Sequence, residues 1–132
     1  MSSSKLYVCS PMQGQLIGAD GRPAAGAQVT REYRYQGKQA FDTVTADAEG
    51  RFSFDAVETK PGLFGRVPAN IVVIQRYTTD AMGGERFLSI SSRSLDLNHE
   101  TGGAAFDVTC NLGEEPSTAN FAKSNCTLNS NR

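Results

Sequence analysis

His99 is the only histidine among 132 residues. It stands in Asp96-Leu97-Asn98-His99-Glu100, so any chemistry that needs an imidazole must be done there. Two carboxylates beside one imidazole could hold a divalent ion weakly. A lone histidine cannot supply the paired imidazoles of a zinc or iron site, and close spacing in a loop does not converge ligands. No metal and no cofactor are therefore expected. Nucleophilic chemistry would have to pair His99 with Ser89, Ser91 or Ser92, or with the thiol of Cys9 or Cys110. The serines lack a G-x-S-x-G elbow, and neither thiol has an electropositive neighbourhood in the sequence. Gly83-Gly84 and Gly102-Gly103 lack the Lys-Ser/Thr ending and the following helix of a phosphate loop, so they read as turns. The chain is expected not to be an enzyme.

Binding surfaces are better supported. In Val29-Thr30-Arg31-Glu32-Tyr33-Arg34-Tyr35, strand alternation places Arg31, Tyr33 and Tyr35 on one face and Glu32 and Arg34 on the other. Tyr and Arg are residue types that dominate interface energetics. The competing expectation is a solvated strand whose tyrosine rings cover the edge of the core. A second candidate is Leu63, Phe64 and Arg66 in Lys60-Pro61-Gly62-Leu63-Phe64-Gly65-Arg66-Val67-Pro68, a proline-stiffened loop whose apolar pair either meets a partner or caps the core. Met82, in the glycine-flanked segment Thr78-Thr79-Asp80-Ala81-Met82-Gly83-Gly84, is a third.

The elements that must position these residues are all strands. Alternation and turn chemistry predict strands over 6–9, 13–17, 27–35, 40–45, 51–56, 70–78, 86–91 and 104–112, and no segment holds a helical apolar period. Asp20-Gly21 and Asp47-Ala48-Glu49-Gly50 are turn signals. The continuous run Ile71-Val72-Val73-Ile74 suits a central strand covered on both faces or pressed against a loop. One domain over 1–132 is expected, with its core over about 5–112 and a polar tail from 113 that wraps the surface or frays.

The 13 basic and 14 acidic side chains give no bias toward nucleic acid, and no run of about 18 apolar residues suggests a membrane span. The first residues do not read as a secretory leader, so the chain is either cytoplasmic or begins after a removed leader. Val8 before Cys9 lacks the small side chain expected ahead of a lipidated cysteine. Cys9, Cys110 and Cys126 form an odd set, so one thiol is left over if a bridge closes. A Cys110–Cys126 bridge would close a loop of about 15 residues and add about 3 kcal/mol, tying down a tail with little other reason to dock. The alternative is a set of buried free thiols in a reducing compartment.

Asp20, Gly21, Pro23, Gly26, Ala27, Val29, Thr45, Asp47, Gly50, Phe52 and Phe54 follow the order of signals in the carboxypeptidase regulatory-like and transthyretin-like domains, which the first half of the chain resembles. The resemblance implies an all-β fold: a single antiparallel Greek-key β-sandwich of about seven strands, used mostly as a binding or structural module. Two enzyme groups with related folds fit poorly. Those that hydrolyse 5-hydroxyisourate need several histidines and a terminal Tyr-Arg-Gly-Ser, whereas this chain ends Leu128-Asn129-Ser130-Asn131-Arg132; the intradiol dioxygenases need a second histidine. Small domains of this kind resemble bacterial immunity proteins, including those against toxins delivered by type VI secretion. That implies a periplasmic protein that occludes a toxin enzyme's active site. The alternative expectation is an accessory module for adhesion or carbohydrate contact, against which the absence of tryptophan weighs.

Overall fold

Where the chain reverses is set by residues that can adopt positive φ. Gln36 and Gly37 take φ of 52° and 76°, the left-handed pair that a two-residue hairpin needs to match strand twist. They join β3 (Gln28–Tyr35) to β4 (Lys38–Thr45) in unbroken antiparallel register from Tyr35↔Lys38 to Gln28↔Thr45. The turn before β5 (Arg51–Phe54) is built differently. Asp47 Oδ1 accepts the main-chain N–H groups of Glu49 and Arg51 at 2.8 and 2.9 Å, and these two bonds hold its carboxyl below the usual aspartate range. Gly50 closes that turn at φ 77°, where a Cβ would lie 2.5 Å from the Leu16 carbonyl oxygen.

The structure is a computed structural model that describes residues 6–60, 71–84, 86–114 and 123–129. β7 (Val73–Thr79), β8 (Arg86–Ser92) and β10 (Lys123–Ser124) complete a five-stranded sheet in the order β10-β8-β7-β3-β4. β2 (Met12–Ile17), β9 (Asp107–Asn111) and β11 (Cys126–Leu128) join β5 in a four-stranded sheet ordered β11-β9-β2-β5. β1 (Leu6–Cys9) pairs with β6 (Val57–Thr59). Helical geometry among the described residues is confined to two 3-10 turns, Asp80–Met82 and His99–Thr101.

The two larger sheets share one core because their inward positions are apolar and large. Phe52 meets Phe87 at 6.4 Å, and Phe54 and Phe106 meet Tyr77 at 5.7 and 6.3 Å between ring centroids. These edge and tilted contacts add to the burial of each ring. Gly14 on β2 makes room for one of them, since a Cβ there would lie 2.7 Å from the Phe52 ring. A second cluster, Val8, Cys9, Val73 and Leu95, packs with Leu6, Tyr33, Tyr35 and Val57.

Several expectations change. Pairing is mostly antiparallel, but β2 and β9 run parallel from Gln13↔Asp107 to Ile17↔Asn111. The described strands exceed seven, partly because the predicted strand 51–56 ends at Phe54 as β5 and a separate short strand, β6, follows it at Val57–Thr59. Residues beyond 113 add an edge strand to each large sheet, and Cys126 faces Cys110 in the β11–β9 register. The two cysteines form the disulfide expected from the sequence, and it tethers β11 to β9. The run at 71–74 feeds a central strand, yet Val72 is 39% exposed, so its outer face is not covered.

Gly50→Ala is expected to lower stability by at least about 2 kcal/mol, through positive φ and the approach to Leu16 together. A urea midpoint equal to the parent's would contradict this. Cys126→Ser is expected to cost about 2–4 kcal/mol and to make the chain after 114 sensitive to protease before the rest unfolds; simultaneous cleavage throughout would show that the bridge does not hold β11 locally.

Candidate functional site

The histidine neighbourhood folds into the interior. Glu100 is buried, and its Oε2 accepts the Ser10 N–H at 2.8 Å and the Gln75 Nε2 at 2.7 Å. Tyr77 donates its hydroxyl to Gln75 Oε1 at 2.7 Å, which continues the chain of bonds toward the core. His99 Nε2 lies 3.1 Å from the Val8 carbonyl oxygen, which can only accept, so Nε2 carries the hydrogen. In the neutral ring Nδ1 then accepts from the Ser92 hydroxyl at 2.6 Å.

Ser92, His99 and Glu100 thus come together as serine, imidazole and carboxylate, with His99 Nε2 also 3.5 Å from Glu100 Oε2. The side chains of His99 and Glu100 have no exposed surface. A base that exchanges protons with a substrate must reach it, and this ring has both nitrogens committed inside. Its bonds tie the end of β8 and the 98–101 turn to β1.

Arg31 is corrected from a surface residue to an interior one. It is 1% exposed, donates from Nη2 to Asp42 Oδ2 at 2.6 Å and to the Asp55 carbonyl at 3.0 Å, and lies over the Phe54 and Tyr33 rings at 4.7 and 5.5 Å. Alternation grouped Arg31, Tyr33 and Tyr35 correctly, but the shared face is the inner one. Tyr33 and Tyr35 are half-buried against the second apolar cluster. Cys9 sits nearby, wholly buried and unbridged. Burial pushes its thiol up to about 12, with Arg31 opposing the shift and Glu100 and Asp42 adding to it. Burial likewise holds the Tyr77 phenol well above its usual range.

One accessible concavity among the described residues lies at the end of the β3–β4 hairpin. Arg34, Tyr35, Lys38 and Gln39 surround a concavity of about 470 Å³ whose apolar part is Val72 and Ile74. Arg34 also bonds Glu32 at 3.2 Å, and Gln39 donates to the same carboxylate. An apolar floor with two cations on its rim suits an apolar side chain flanked by carboxylates. Leu63, Phe64 and Arg66 lie outside the described residues. The main chain of Met82 ends the turn Asp80–Met82.

Sequence reasoning missed Arg34, Lys38, Val72 and Ile74. Arg34 was legible as the opposite parity to Arg31, and Val72 as a member of an apolar run too long for one buried face. Phe41, 62% exposed on β4, was also missed; it falls among polar residues at an outward position, which marks it as a surface aromatic.

Residues 12–115 match the family described as Domain of unknown function (DUF6795), and the chain belongs to that family. Nothing matches among the curated proteins or among the solved structures.

In the unfolded chain Cys9 ionises near 9.0, and in the folded protein near 12. Between those values only the unfolded state releases the proton, so stability is expected to be intact below pH 9 and to fall as pH rises through the window. Urea midpoints from pH 8 to 11 test this. Cys9→Ala should flatten the decline, and an unchanged slope would count against it. A thiol reagent at pH 8 should label Cys9 only after unfolding.

Proposed function

We propose that this chain is a non-enzymatic binding protein on a transthyretin-like Greek-key β-sandwich, acting as a periplasmic immunity protein that occludes the active site of a secreted antibacterial toxin. The observation that carries this reading is the concavity bounded by Arg34, Tyr35, Lys38, Val72 and Ile74. Val72 and Ile74 lie close in sequence to Leu63, Phe64 and Arg66. On this reading Leu63 and Phe64 fill the toxin's cleft, while Arg34, Lys38 and Arg66 pair with carboxylates around it. The Cys110–Cys126 bridge is compatible with an oxidising compartment. Among the described residues no helix is long and apolar enough to cross a membrane.

A second reading, an accessory module that contacts carbohydrate, is favoured by the outer face of the four-stranded sheet. There Gln13, Gln15, Arg51, Ser53, Asp107 and Asn129 line a polar depression of about 590 Å³. Asp107 accepts from Gln13 at 3.1 Å and from Asn129 at 3.0 Å, which orients the amides.

The test is co-purification from the source lysate under oxidising conditions, followed by assay of the recovered enzyme with and without one equivalent of this protein. Loss of the enzyme's activity on addition, and recovery of that activity with an Arg34→Glu, Val72→Asp double variant that binds at least about tenfold more weakly (about 1.4 kcal/mol), is the expected result. Unchanged affinity in the folded double variant would reject the surface; retention on immobilised oligosaccharide without a protein partner would favour the second reading.

A further inference from the structure

β4 is one of the two edge strands of the five-stranded sheet, the two-residue β10 being the other. In a two-residue hairpin the residues flanking the turn exchange hydrogen bonds, so Tyr35–Lys38 is a bonded pair and alternate pairs up the ladder follow it. The bond from Ala46 N–H to the Ala27 carbonyl at 2.8 Å keeps that phase. The N–H and C=O groups of Gln39, Phe41, Thr43 and Thr45 therefore point away from β3. Among the described residues no other strand pairs with them. Eight residues of regular edge with a phenylalanine 62% exposed lack the proline, bulge or shortness that usually protects an edge.

The residue pattern says what would cover it. Lys38 and Asp42 carry opposite charges two residues either side of Ala40, and Gln39 and Phe41 flank it on the outer face. A copy of the strand running antiparallel about a two-fold axis at Ala40 brings Lys38 opposite the other copy's Asp42, twice. It sets Phe41 opposite Gln39 and diagonal to the second Phe41, within aromatic reach. Moving the axis to Asp42 would instead oppose two carboxylates. Asp42 can serve this pairing while holding Arg31, because its side chain is 42% exposed. Ala40 at the axis is small enough for the close approach of a non-hydrogen-bonded pair.

We infer that two copies of this chain pair through β4, antiparallel about Ala40, joining their five-stranded sheets into one. The inference rests on the β4 edge and not on the toxin reading, although Lys38 belongs to both surfaces.

Sedimentation of the purified full chain over a range of concentrations tests it, with a mass of two chains expected to emerge as concentration rises. Gln39→Pro removes an outward N–H without touching the β3 ladder and is expected to give a monomer with unchanged circular dichroism. If that variant does not fold, Lys38→Glu, which faces Asp42 with a like charge, is expected to weaken the dimer at least tenfold. Ala40→Cys should form an intermolecular disulfide in air, because the native cysteines are buried or already bridged. A monomer at every concentration, a dimer that survives both edge variants, or a dimer that Ala40→Cys fails to cross-link would each overturn the proposal.

Discussion

The rings of Phe52, Phe54, Tyr77, Phe87 and Phe106 are the contact on which the two large sheets depend. A sheet with one apolar face is unstable until that face is covered, and burying a large apolar side chain contributes about 1.5–3 kcal/mol. The rings interlock from both sheets at tilted or edge geometries, so neither sheet can slide without losing several contacts together. Gly14 belongs to the same constraint, because the space its missing side chain leaves is occupied by Phe52.

Toward the β1–β6 end the interior changes character. Arg31, Gln75, Glu100 and Ser10 are buried there. Burying such groups is costly unless they are bonded. Here Arg31 reaches the Asp42 carboxylate and the Asp55 carbonyl, Gln75 reaches Glu100, and Glu100 accepts from the Ser10 main chain, while Arg31 Nε and Nη1 and Glu100 Oε1 have no hydrogen-bond partner among the described residues. The polar chain therefore acts as a fastener for elements that the aromatic cluster does not reach. It also explains why groups capable of catalysis in the sequence, Ser92, His99 and Glu100, are spent on architecture.

With the side chains of His99 and Glu100 turned inward, accessible features among the described residues include sheet faces, a hairpin end and a strand edge. Recognition at such surfaces would come from shape, apolar contact and paired charge, on which the proposed binding reading rests. Arg34 and Lys38 beside Val72 and Ile74 combine those properties. The outer face of the four-stranded sheet, where amides are oriented by Asp107, offers a contrasting polar surface.

The sequence by itself determined the tight turns and the parity of the longer strands. Asp47 with Gly50 and the pair Gln36-Gly37 act through φ angles and neighbouring main-chain groups, and alternation in β3 groups Arg31 with Tyr33 and Tyr35 whatever the rest of the chain does. It did not reveal β6, β10 or β11, whose few residues carry too little period to read. Tertiary structure alone decided which parity faces inward, which is why Arg31 moved to the interior and Arg34 to the surface. The Cys110–Cys126 bridge was already suggested by a polar tail with little other reason to dock, whereas tertiary structure decided that β9 runs parallel beside β2 and that His99 is closed in by β1. Each of these depends on contacts between residues far apart in the chain, and local propensity cannot specify a partner it does not touch.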